Sequence, residues 1–340
     1  MLFRSGIRQQ FTSEVNIRLS QESLKRFERF EEEMGASADL RQVGYLFLAS
    51  SEDDWAWLQR GASLQRRLGV PVELLTPEEA RRLVPGLRID DLVGATFCGT
   101  DGIADPYAVV QAFARQARRL GVRILEGHEI TGIFRDAAKI RGVRVKGGEA
   151  IVSSLVVNAA GVHARDVGQM ARVQIPVEPH HRQVFVAEPM AELPGPIPMT
   201  IDLRSGTYMH VEPNGSIVLG GGDHGDRRGF DQSLDWSFLP RLIEAVTHRL
   251  PALEAAQIRR GWAGLREMTP DELAIIGPVP GVQGLFVAAG FSGHGFMHAP
   301  AVGQVMAELI LDGKASTIDI SALSLERFRT GQLSPERAVF

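Results

Sequence analysis

The chain has 340 residues, 44% of them apolar and 23% charged, and a formal charge of −4 with acids and bases interspersed. That is globular composition with more length than one core usually fills, so two domains are expected, and nothing in it points to a nucleic-acid partner. A single cysteine, Cys98, rules out an internal disulfide framework, and no apolar run approaches the ~18 residues of a membrane span, so a reducing, cytoplasmic setting is expected.

In chain order, residues 14–34 read as an amphipathic helix, with Val15, Ile17, Leu19, Leu24, Phe27, Phe30 and Met34 set among charges. A strand over 44–49 precedes a helix over 52–68 that stops at Gly69, with Pro71 beyond. Thr76, Pro77 and Glu79 form a capping box with proline at the first helical position. A strand over 93–97 leads to a helix from Asp105 to Leu120, closed by Gly121. Strands follow over 122–126, 129–134 and 140–146, then an apolar strand from Ala150 to Asn158 that ends in a small-residue turn at Ala159, Ala160 and Gly161. From 173 to 222 strands dominate, and a hairpin turns at Pro213, Asn214 and Gly215. A helix spans about 234–250. The fold class is α/β in a mixed α+β sense, not a bundle or a sandwich.

The most informative segment lies near the C-terminal end. An apolar run, Leu285 to Ala289, enters a turn carrying Gly290, Gly293 and Gly295 and then a long apolar-periodic helix ending near Asp312. Strand, glycine turn and helix together aim backbone N–H groups and the positive end of a helix at an anionic ligand.

Thr269 to Pro278 followed by Gly290 to Phe296 resembles the C-terminal signature of the D-amino-acid-oxidase-like FAD-dependent oxidoreductases, with glycine oxidases and sarcosine oxidase beta subunits nearest. Val156 to Ala164 resembles the family's turn near the FAD ribose and pyrophosphate. Gly127 to Ile133, with Ile130, resembles its adenine-reading strand, and Gly6 to Phe11 the start of the helix beside the flavin. The family also begins with a βαβ unit carrying Gly-x-Gly-x-x-Gly, which needs ~30 residues or more. Five residues precede Gly6, so that unit is expected to be missing and the chain to be N-terminally truncated. The literal match at Gly220, Gly222 and Gly225 reads as a glycine-rich strand exit.

The resemblance implies a Rossmann-like FAD-binding lobe over 1–37, 94–168 and 262–325, and a strand-rich substrate domain over 40–90 and 173–258. It implies FAD as cofactor and oxidation of the C–N bond of a small amino acid or N-methyl amino acid, with hydride passing to flavin N5 and an imine then hydrolysed. The other reading is a non-catalytic remnant that serves as a binding or structural subunit. Cofactor contacts fall on Arg8, Ile130, Ala159, Ala160, Gly161, Gly290, Phe291, Ser292, Gly293, His294, Gly295, Phe296 and Met297. Arg266 matches the position that binds the substrate carboxylate, the task to which a planar guanidinium is suited; its alternative is a salt bridge to Glu267 or Asp271. Tyr208 is either a substrate hydrogen-bond donor or a core tyrosine, and shares a strand face with His210. His294 either faces the flavin or caps and packs its helix; Arg8 either lines the flavin or begins a helix. The expected partners are a small amine substrate and a homo-oligomer or partner subunit. His294 and His298 lack the glutamate of a metalloprotease motif, and no metal is expected.

Overall fold

The computed structural model describes residues 4–193, 195–222, 225 and 227–338. The described residues of Met1–Val109 and His181–Leu265 form one compact unit, and those of Val110–His180 and Arg266–Val339 a second. The described residues of 1–37 and 94–109, segments placed by the resemblance with the FAD-binding lobe, fall in the first unit.

The first unit is built on an eight-stranded sheet. Its order is Ile258–Met268, Glu178–Ala187, Ile217–Gly221, Thr207–Val211, Met199–Asp202, Tyr45–Ala49, Gly94–Cys98 and Val72–Leu75. From Glu178–Ala187 to Val72–Leu75 every neighbouring pair in this order is antiparallel except Met199–Asp202 with Tyr45–Ala49, which is parallel. The Pro213–Gly215 hairpin forms as its residues require: Val211 pairs with Ile217 and Gly215 takes φ 82°. One sheet face packs Leu46, Leu48, Phe185, Met209 and Leu219 against Leu242, Val246 and Leu250 of the helix Leu239–Arg249 and its exit. The other face carries Tyr45, Phe47, Met199 and Ile201 with Leu58. Burying one such large side chain contributes about 1.5–3 kcal/mol.

Helix termini follow local chemistry. Ser51 accepts from the Asp54 amide and starts Glu52–Arg67, and Thr76 with Glu79 closes both halves of its capping box around Pro77–Leu83. The expected helix over 14–34 is two, Glu14–Glu28 and Phe30–Met34, because the Arg29 backbone leaves helical geometry at φ −102°, ψ 12°.

The second unit holds two three-stranded sheets. In one, Leu285–Ala289 lies between Ile275–Pro278, antiparallel to it, and Val156–Asn158, parallel to it. In the other, Lys139–Val145 lies between Ile130–Asp136 and Ala150–Val152. Ile133, Ile140, Ile175, Val177, Ile275, Leu285 and Val287 make its core. Two sequence expectations fail here. Residues 122–126 join no sheet, and Val122, Ile124 and Leu125 are exposed. The single strand expected from Ala150 to Asn158 divides between the two sheets, because the Ser153 hydroxyl donates to the Leu155 carbonyl at 2.6 Å and accepts from the Leu155 amide at 3.2 Å. That local loop competes with the ladder.

Candidate active site

Leu285–Ala289 buries Leu285, Val287 and Ala289 on one face and leaves the sheet through Gly290 at φ 76°, Ser292 at φ 52° and Gly293 at φ 96°. A Cβ on Gly290 would stand 2.4 Å from the Thr269 methyl, so both space and backbone angle require glycine there. The 17-residue helix Gly295–Leu311 follows directly, with His294 as its N-cap. The His294 amide donates to the Phe291 carbonyl at 2.9 Å, its carbonyl accepts from the His298 amide at 3.2 Å, and its side chain is buried.

The first amides of this turn already have an anion. Glu267, on the strand that ends at Met268, accepts from the Gly290 N–H at 3.0 Å and from the Phe291 N–H at 3.3 Å, one oxygen to each. Its own carbonyl accepts from the Ser292 N–H at 3.0 Å. Burial lifts the Glu267 carboxyl above its ordinary range despite the two amide donors. Among the described residues, no carboxylate accepts from the N–H groups of Gly293 and Gly295.

Arg266, one residue earlier, lies across the same turn. A Cβ on Gly293 would meet its Nε at 3.0 Å and its Cζ at 3.1 Å. Asp271, considered from the sequence as its ion partner, instead takes Arg327, at 2.7 Å from Nε and 3.0 Å from Nη2. Glu267 is likewise engaged by backbone. The second glycine turn sits beside this one: a Cβ on Gly161 (φ 56°) would lie 3.6 Å from Glu267 Oε2. Asn158 holds that second turn, accepting from the Ala160 amide at 3.2 Å and donating to the Ala164 carbonyl at 2.8 Å. The structure therefore brings Gly161, Arg266 and Gly290–Gly295 together in one unit, with Phe296 and Met297 in the first turn of the helix. Ile130 opens a strand of the other sheet.

Arg8 and Tyr208 lie in the first unit. Arg8 does not begin a helix. It sits buried between the strand Ser5–Ile7 and the helix Glu14–Glu28, its guanidinium 4.2 Å from the Phe11 ring centre and donating to the Gln10 carbonyl at 3.0 Å. Tyr208 is half-buried and covers Gly220, where a Cβ would come within 2.4 Å of the phenol. His210 is buried, with Nε2 3.0 Å from Glu212 Oε1. Gly220 and Gly221 end a strand, and among the described residues no helix follows before Trp236, so the literal glycine motif is a strand exit; His224 lies outside the described residues.

Two acids escaped the sequence reading. Asp101 is fully buried and accepts from the Gln9 amide (2.9 Å), Gln9 Nε2 (3.1 Å) and Gln10 Nε2 (3.3 Å); burial still pushes its carboxyl up to about 6. Glu267 was visible only as a possible partner of Arg266, since a sequence does not say which backbone amides a carboxylate will meet. Cys98 is a buried thiol whose pKa burial raises to about 12, so it packs as a small hydrophobe and is not a reactive thiolate.

A glycine turn that excludes Cβ atoms, opening on a helix N-terminus with an arginine laid over it, fits an anionic, planar cofactor. The model of the DAO family, FAD dependent oxidoreductase, matches residues 2–309. The chain belongs to this family. FAD is the cofactor that membership implies, and the mixed α/β architecture is the family's. FAD-dependent oxidoreductase domain-containing protein 1 of Xenopus laevis is 30% identical over all of this chain and 76% of its own length. Sarcosine oxidase subunit beta of Arthrobacter sp is 29% identical over 97% of this chain and 81% of its own. Among solved structures, L-proline dehydrogenase from P. horikoshii superposes with a TM-score of 0.90 at 36% identity, over 97% of this chain and 87% of that one. Glycine oxidase from Geobacillus kaustophilus gives 0.81 at 26% identity, over 93% and 84%.

Proposed function

We propose that this FAD-dependent oxidoreductase oxidises the C–N bond of a small amino acid or N-methyl amino acid. FAD, when bound, supplies the acceptor for the hydride leaving the carbon beside nitrogen, and the resulting imine is hydrolysed by water. The observation that carries the reading is Arg266 laid over Gly293 beside the N-terminus of Gly295–Leu311. A guanidinium and a helix N-terminus both favour negative charge. In this reading Arg266 takes the substrate carboxylate in its planar fork and so fixes the orientation of the reacting carbon. The amides of Gly293 and of the first helical turn from Gly295 to Met297 face the cofactor, and buried His294, its amide turned back to the Phe291 carbonyl, helps to exclude water from it. Similarity to sarcosine-, proline- and glycine-oxidising proteins supports an amine substrate that bears a carboxylate.

For the domains, we propose that 40–90 and 173–258 form the substrate side; the eight-stranded sheet, drawn largely from these segments, supports this. Val156–Asn158 is an edge strand with Val157 exposed, and Val122, Ile124 and Val152 are exposed in the same unit.

Arg266→Ala tests the proposal. Loss of a desolvated, charge-assisted pair is expected to weaken binding of a carboxylate substrate by about 2–5 kcal/mol. KM should rise accordingly while flavin content per chain stays constant. Parallel loss of flavin and substrate affinity would make Arg266 structural and remove the argument.

A further inference from the structure

Glu267 is hydrogen-bonded to one glycine turn, through the amides of Gly290 and Phe291, and borders the other at Gly161. We propose that it is a positioning residue for the cofactor: its carboxylate claims the amides of Gly290 and Phe291, so that the cofactor is received by the helix N-terminus at 293–297 and not by the turn before it. The inference rests on the reading of this turn as the FAD site and names which part of the turn is available to it.

Three features of the geometry carry it. One residue fixes three consecutive amides, those of Gly290 and Phe291 through the two carboxylate oxygens and that of Ser292 through the main-chain carbonyl. An array of successive N–H groups of this kind is an anion site, and here the protein fills its first half itself. Next, the same carboxylate borders Gly161, where a Cβ would lie 3.6 Å from Oε2, so one side chain adjoins both turns. Finally, the negative charge stands at the turn that opens the helix Gly295–Leu311, and offsets part of the positive field of that helix N-terminus. Stability alone does not explain the residue. Burial outweighs the two donated hydrogen bonds and raises the carboxyl pKa, so the ionised form costs the fold something.

The test uses the full chain in two states. In FAD-free protein, hydrogen exchange is followed across residues 289–297. Glu267→Gln keeps one acceptor and removes the charge, and exchange at 290–291 is expected to quicken about tenfold, the worth of one charge-assisted hydrogen bond. With saturating FAD added, the affinity of the bound flavin for sulfite is then measured. Sulfite binding rewards positive surroundings, so Glu267→Gln is expected to tighten it by about tenfold, the size of a charge at a helix terminus. Unchanged exchange overturns the brace. Quickened exchange with unchanged sulfite affinity overturns its link to the cofactor. A wild-type chain that takes up no FAD sinks the cofactor reading itself, while the exchange result still decides the brace. Should Glu267→Gln fail to fold, Glu267→Asp carries the same two measurements with its own outcome: it keeps the charge but is one methylene too short to span both amides, so exchange should quicken while sulfite affinity stays at the wild-type value, and for this variant a tightened sulfite affinity is the result that overturns the link between the charge and the cofactor.

Discussion

At Asp101 burial outweighs three donated hydrogen bonds, whereas at Asp91 the balance goes the other way. Burial raises both, but hydrogen bonds from Arg249, His248 and Arg204 hold Asp91 far below the ordinary carboxylate range. The two acids therefore respond oppositely to pH. A carboxyl whose folded pKa is raised, from 3.8 to about 6, contributes stability that is whole below the unfolded pKa and is lost as pH rises through the folded one. For Asp101 that window is about pH 4 to 6, and a shift of about two units corresponds to about 3 kcal/mol. Asp101→Asn should flatten the change in unfolding free energy across that window, as chemical denaturation at several pH values would measure; an unaltered slope would mean that other groups produce it. Arg266 was readable in the sequence because a motif surrounds it. Asp101 and Glu267 were not, because their partners are backbone and amide groups that only the folded chain brings within reach.

Elements were legible where a local rule sufficed. The capping box at Thr76, the stop at Gly69 and the hairpin at Gly215 all form as their own residues dictate. Elements that depend on distant neighbours were not. The short strands Val72–Leu75, Gly102–Ala104 and Met199–Asp202 exist because a partner strand is present, and 122–126, with a strand's alternation, joins no sheet. Long-range ties also decide how elements dock. Arg249, the last residue of Leu239–Arg249, is fully buried and reaches Asp202 at 3.1 Å, Asp91 at 2.8 Å and the Arg88 carbonyl at 2.6 Å. It joins one helix end to a strand end and a loop. Arg249→Met would leave buried carboxylate without its counter-charge and should lower unfolding free energy by about 3–5 kcal/mol, checked by urea denaturation. A loss below ~1 kcal/mol would mean that water replaces the guanidinium.

Across the whole chain, the fold class was readable because four separated segments each resembled a part of the same family in the same order, and the match over residues 2–309 agrees. The path by which the chain builds its two units was less so: each is assembled from two stretches far apart in sequence, and Val109 and His181 mark crossings that no glycine- or proline-rich linker announces. The consequence for function is concentrated in the second unit, where Gly161, Arg266, Glu267 and the Gly290–Gly295 turn converge on one helix N-terminus. A crystal structure of the FAD-loaded protein tests that claim most directly. The account predicts the flavin's polar edge within hydrogen-bond distance of an amide between Gly293 and Met297, with Glu267 still bonded to Gly290 and Phe291. A flavin ring held away from this helix would contradict it.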